Sequence, residues 1–324
     1  MTLKFKITKA MKTMFNRSAA LIIGLMFGFT NLSDAQIIVA GPDTSICIGS
    51  QVTLTATVLS GVATNVVNNN NAALNDDQWS AVVPLPFPFT FYGNVYNQCI
   101  IGSNNVVSFN TANAGAYCTW PISNIPAPGG MPGDIRNCVM GPWHDLLPPA
   151  GGTIKYGTVG TAPNRIFVVE WCTVAHYLCT GINSTDYILL YEGTNVIENH
   201  ILNKPVCTTW NGGKAIRGLI NATATLGNIV PGQNTPTQWT VANDARRWTP
   251  PSPYVLTTIP YGPPILANAT ITWTANGNPV GTGPTLTVSP TTTTNYIASV
   301  VSTCGNITYR DTATVTIVPA FTVT

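Results

Sequence analysis

Apolar residues recur at every second position through most of this chain. PFTFYG puts Phe87, Phe89 and Phe91 on one face of a strand, and CIIGSNNVVSF supplies a second β-branched run after a Gly-Asn turn. Residues 84–110 therefore predict a hairpin. Pro84, Pro86 and Pro88 cannot donate to a ladder, which places its first strand at a sheet edge. Upstream, Val52, Leu54, Ala56 and Val58 alternate in the same way, and residues 66–77, Asn-rich and polar, predict a solvated loop. IRNCVMGPWHDL, GGTIKYGTVG, RIFVVEWCTV, TDYILLYEGTNVIENHIL and GKAIRGLINAT continue as apolar β runs broken by Gly, Pro or Asn. ITWT, LTVSP, NYIASVVSTCG and DTATVTIV carry the pattern to the far end. No window beyond the first 35 residues has a helical period, and 28 glycines with 25 prolines suit many tight turns. The prediction is an all-β protein.

The first 35 residues follow a different rule. Lys4, Lys6, Lys9, Lys12 and Arg17 precede an apolar run over residues 19–29, and Ser33-Asp34-Ala35 offers small residues at a cleavage site. This order predicts a secretory signal peptide cut near Ala35–Gln36; its apolar run is too short to cross a bilayer. Removal takes five of the 14 basic and one of the 12 acidic residues, leaving 9 against 11 and a net charge of −2. No basic stripe remains to hold nucleic acid, and no later apolar run predicts a membrane span in the mature chain. The expected location is secreted or cell-surface.

Eight cysteines follow the leader, an even number with no Cys-x-x-Cys spacing, which predicts disulfides over a metal site. Cys47, the strand-borne Trp273 and Cys304 are the ingredients of an immunoglobulin-like sandwich core, yet more than two hundred residues separate the first two. One domain inserted into a loop of another explains that distance. The expected architecture is a discontinuous Ig-like β-sandwich from residues 36–60 and 266–319, a large inserted all-β domain over 61–265, and a tail over 320–324.

GPDTSICIGSQVTLTA and ITWTANGNPVGTGPTLTVSPTTTTNYIASV together resemble the Ig-like or PKD-like modules of large surface proteins exported by gliding bacteria through type-nine secretion. That resemblance covers residues 37–60 and 266–319, and it implies a Cys47–Cys304 bridge and neighbouring modules of the same assembly as partners. FPFTFYG, IIGSNNVVSF, GPWHDLLPPAGGTIKYGTVGTAPNRIFVVEW, YILLYEGTNVIENHI and WNGGKAIRGLINA, in that order, resemble a bacterial nidogen-like domain over most of residues 79–250. The second resemblance implies an extracellular role in adhesion or matrix contact without enzymatic activity. It also makes Trp143 and Asp145 a structural Trp-x-Asp pair. With Cys47–Cys304 set aside, Cys179 and Cys207 bracket one hairpin and are expected to bridge. Three pairings remain for the other four cysteines. Cys118–Cys138, closing a Pro/Gly-rich loop, is favoured, which leaves Cys99–Cys172.

Candidate chemistry is sparse. There is no G-x-S-x-G, no P-loop and no strand-to-helix G-x-G-x-x-G, and nothing brings Glu170, Glu192 and Glu198 together as glycosidase carboxylates. Glu198 and His200 share a strand face, where zinc would need a third ligand and a cross-strand polar pair is the simpler expectation. Asp76 and Asp77 close the Asn-rich stretch with oxygens but without EF-hand spacing, so calcium is the one cation weighed there, against a solvated loop. No metal or cofactor is otherwise expected. Of eight tryptophans most should fill cores, while Tyr117 and Trp120, between Gly- and Pro-rich stretches, are the candidates for an exposed binding surface. The expected function is a secreted, non-enzymatic adhesion or structural protein with an extracellular protein or glycan partner. The alternative is a carbohydrate-binding module using surface aromatics.

Overall fold

The computed structural model describes residues 38–58, 66–122, 127–262, 270–301, 304 and 308–319. The expected signal peptide with its cleavage site and the tail at 320–324 lie outside these. The described chain is all-β, with three single-turn 3-10 segments between strands and four sheets.

Two antiparallel sheets form the centre. One runs in spatial order Val255–Ile259, Val241–Thr249, Ile197–Lys204, Cys179–Tyr191, Ile166–His176, Thr153–Val159, Val66–Asn71. The other runs Gly227–Ile229, Ile216–Ile220, Cys138–Trp143, Val106–Ser108, Asn94–Gly102, Val83–Phe91. Their inner faces share one core, in which Phe89, Phe91 and Val139 of the second sheet meet Trp171, Ile188 and Trp248 of the first. Val66–Asn71, expected as part of a solvated loop, is instead an edge strand on Thr153–Val159. Strand pairing satisfies its backbone, so the polarity of its Asn side chains does not prevent it from joining the sheet.

Val83–Phe91 occupies the edge that its prolines require, with Val83, Leu85, Phe87, Phe89 and Phe91 buried and the intervening positions outside. Tyr92 and Gly93 both have positive φ (45° and 82°), the mirror-image turn that matches strand twist. On the outer face of this second sheet, the irregular segment between Phe109 and Cys138 lays Cys118, Ile122 and Met131 against Trp79, Met140 and Trp143. Trp143 donates to Thr119 O at 2.8 Å and Trp79 to Asp134 Oδ2 at 3.2 Å, which fixes that segment in place.

The remaining two sheets mix the chain's early and late strands. Ile38–Ala40 and Val52–Val58 join Thr285–Val288; Thr44–Cys47 joins Thr272–Ala275, Asn278–Thr282, Thr294–Val301 and Thr308–Val318. Leu54 and Leu286 from the first pack with Trp273, Tyr296 and Val315 from the second around one core.

The disulfides differ from expectation at three pairs. Cys179–Cys207 is bonded, but Cys304 is bonded to Cys172, and Cys47, Cys99, Cys118 and Cys138 are free thiols. Cys47 is paired opposite Val318, the far end of a strand that starts only after Cys304, and its side chain faces solvent. It cannot reach Cys304. Cys304 is instead buried with Cys172, Val168 and Leu189 on the outer face of the seven-stranded sheet. Cys99 lies in the core between the central sheets, so Cys99–Cys172 would have to pass through a sheet. Cys118 and Cys138 share a core cluster without bonding; the Cys138 thiol turns to Arg136 O at 2.9 Å.

Candidate functional site

Asn104, fully buried in the tight turn between Asn94–Gly102 and Val106–Ser108, holds three segments together. Its amide donates to Asp77 Oδ1 at 2.8 Å and to Cys118 O at 3.0 Å, and its Oδ1 accepts from Leu146 N at 3.0 Å. The turn at Asp76-Asp77, with Asp77 in the left-handed region (φ 46°), is closed by Asn75 N donating to Gln78 Oε1 at 2.9 Å. Cys118 N donates back to Asp77 O at 2.8 Å. Asp145 leaves the end of Cys138–Trp143, its backbone carbonyl accepting from Tyr177 N and its Oδ2 from Trp210 Nε1 at 2.6 Å.

These anchors bring carboxylate oxygens of Asp76, Asp77 and Asp145 within 4.8 Å of one another. Asp76 Oδ1 and Asp145 Oδ1 are enclosed and have no hydrogen-bond partner. Among the described residues no ion pair reaches any of the three. Burial raises the Asp145 carboxyl to about 7; the Trp210 bond offsets part of this and the other two carboxylates add to it. Asp77 is raised to about 6, again chiefly by burial, against the lowering effect of Asn104. Asp76 is raised by burial, offset in part by a backbone N–H. An unpaired acidic cluster resists ionisation.

Aromatic rings flank the cluster. Trp210 packs at 4.9 Å from Trp120 and 5.0 Å from Tyr177, centroid to centroid, and all three are half-buried. Tyr117, bridged to Gln78, is 54% exposed, and Leu178, beside Tyr177, is 61% exposed. The Cys179–Cys207 bridge pins this edge. Trp120, expected to be exposed, is half-buried in this stack, whereas Tyr117 is exposed.

The other histidines and acids point elsewhere. His144 turns inward: its Nδ1–H donates to Pro142 O at 2.8 Å, which leaves Nε2 as an acceptor facing His176 and Ser184. Burial holds His144 well below the usual imidazole range and lowers His176 to about 4, so both are neutral. His200 accepts from Gly262 N at Nδ1 and donates to Glu198 at 2.8 Å, so neither ring nitrogen is left for a metal. Glu198 also takes Tyr191 and Arg247, and burial of such a charge demands that many partners.

The family model described as NIDO related matches residues 50–257. The chain belongs to the NIDO-related family. No curated protein and no solved structure matches it. The NIDO-related span contains both central sheets almost entirely, and Asp76, Asp77, Tyr117, Trp120, Asp145, Tyr177 and Trp210 all fall within it. The family is extracellular, and among the described residues no helix is long and apolar enough to cross a membrane.

Of the site residues, Asp76 and Asp77 were singled out in one loop and Tyr117 and Trp120 in another, with nothing in the sequence to join the two. Asp145, Tyr177 and Trp210 joined them only through strand order, and Asn104 lay hidden in a Ser-Asn-Asn turn that any hairpin could carry.

Proposed function

We propose that this is a secreted, non-enzymatic extracellular protein that works in adhesion or as a part of a larger surface assembly. The observation that carries the reading is an aromatic face in which Trp210 stacks on Trp120 and Tyr177, with the exposed Tyr117 and Leu178 close to them along the chain. Aromatic rings held at a surface by a disulfide and by buried hydrogen bonds lose little freedom on binding and suit a protein or glycan contact. A non-enzymatic role is supported by the enclosure of His144, His176 and Ser184, which keeps the acid–base groups from substrate. In this reading the chain is exported through its N-terminal signal. The sheets built from its early and late strands form an Ig-like module into which the NIDO-related domain is inserted, as in type-nine-secreted surface proteins.

The half-buried Trp120–Trp210 pair favours a second reading, carbohydrate binding by stacking of sugar rings. Binding of the mature protein to an array of glycans and matrix proteins tests both. A hit that falls at least tenfold in a Tyr117→Ala, Leu178→Ala variant supports the face as the contact, and the class of the hit separates the two readings. A hit unchanged by that variant removes this face.

A further inference from the structure

The acidic cluster holds more charge than its surroundings balance. Three carboxylates converge from two segments 68 residues apart in sequence, and two of their oxygens are enclosed without any partner. The stronger of these observations concerns Asp145. The residue is 7% exposed, its Oδ2 is held by Trp210, its Oδ1 is left without a partner, and its carboxylate lies within 4.8 Å of those of Asp76 and Asp77. A buried carboxylate oxygen without a donor is costly, and buried carboxylates are ordinarily paired or bound to a metal.

We propose that Asp76, Asp77 and Asp145 form a calcium-binding site that ties the turn at residues 75–78 to the end of Cys138–Trp143. All three donors are hard oxygens, the preference of calcium and magnesium over zinc. Ligand oxygens no more than 4.8 Å apart can be spanned by a cation with bonds of about 2.4 Å, and a site of carboxylates on two loops suits the flexible geometry of calcium better than the strict octahedron of magnesium. Neither nearby histidine competes, since the His144 ring faces away toward His176. The hydrogen bonds from Asn104 to Asp77 and from Trp210 to Asp145 orient one oxygen of each carboxylate and leave the other for the cation. This site stands whatever the aromatic face binds.

The test uses the mature protein stripped with EDTA. Terbium stands in for calcium, and excitation of tryptophan is expected to light its emission, because Trp210 bonds directly to a ligand. Calcium should displace it, and calcium at a hundredfold over its dissociation constant should raise Tm by about 5 °C. Asp145→Asn, isosteric and confirmed folded by near-ultraviolet circular dichroism, should lose both signals, and so should Asp76→Asn in the more exposed turn. Emission and Tm shifts absent from the native protein, or unchanged in both variants, would overturn the proposal. Because this readout involves no partner, it can fail while array binding succeeds, and the converse.

Discussion

Trp210 donates its indole N–H to Asp145 at 2.6 Å, and through that bond an aromatic surface and an acidic cluster become one structure. Trp210→Phe would keep most of the packing against Trp120 and Tyr177 while removing the donor. The expected loss is about 1–2 kcal/mol, the range for a bond to a charged group discounted for a half-buried ring. A double-mutant cycle with Asp145→Asn in urea checks it, since the two losses should be clearly non-additive.

Reactivity of the thiols distinguishes the observed pairing from the expected one. In the native protein an alkylating reagent should label Cys47 alone; Cys99, Cys118 and Cys138 should react only after unfolding. Peptide mapping under non-reducing conditions should recover Cys172–Cys304 and Cys179–Cys207. Replacing Cys172 and Cys304 together with serine should cost about 3–5 kcal/mol, because their bridge closes a loop of 132 residues.

Arg217 is fully buried, bonded to Asn199, Gln233 and Asp244, with the Asn199 carbonyl at 2.8 Å. Burial lowers its guanidinium to about 10, against the raising effect of Asp244. It therefore stays charged at neutral pH. Arg217→Leu would leave Asn199 Oδ1 without its donor and Asp244 with Arg246 alone, for an expected loss of about 2–3 kcal/mol in chemical denaturation. A loss below 1 kcal/mol would mean that the network is dispensable.

Lys204 gives the protein a distinctive pH response. Its amine reaches Trp239 O at 2.9 Å and lies 4.4 Å from the centre of the Trp239 ring, contacts that favour the cation, yet burial outweighs them and lowers it to about 7. The unfolded chain keeps its lysine proton up to about pH 10.4, so between 7 and 10.4 unfolding takes up a proton and this site's contribution to stability rises with pH. Below pH 7 the folded protein carries the buried charge at full cost. Lys204→Met should therefore stabilise the protein by a few kcal/mol at pH 7 and by little at pH 10. An equal gain at both values would show that the amine titrates normally.

The alternation at Phe87, Phe89 and Phe91 was legible because a two-residue period and three prolines leave one strand, one face and one edge. The Cys179–Cys207 bridge was legible for a similar local reason, since the hairpin between them is continuous in sequence. Cys172 was not. Its partner depends on which face of the seven-stranded sheet each strand presents, and a shift of one residue reverses that face. Asn70 and Asn71 misled because asparagine usually marks loops, whereas at a sheet edge the ladder pairs the backbone while both residues stay exposed. The cluster with Asp145 was invisible for the reason common to long-range sites. Its residues are 68 positions apart, and strand order together with the Asn104 hydrogen bonds brings the segments together.

Thr44–Cys47 and Thr308–Val318 lie side by side and run in the same direction. Tension applied at residue 38 and at residue 319 would draw these two strands past one another along their length. All the hydrogen bonds between them would then share the load and yield together, where an antiparallel pair pulled from one end would unzip bond by bond. Ile38–Ala40, paired with Val52–Val58, lies ahead of this seam in the chain, so a pull at residue 38 would load that pair and the parallel seam in turn.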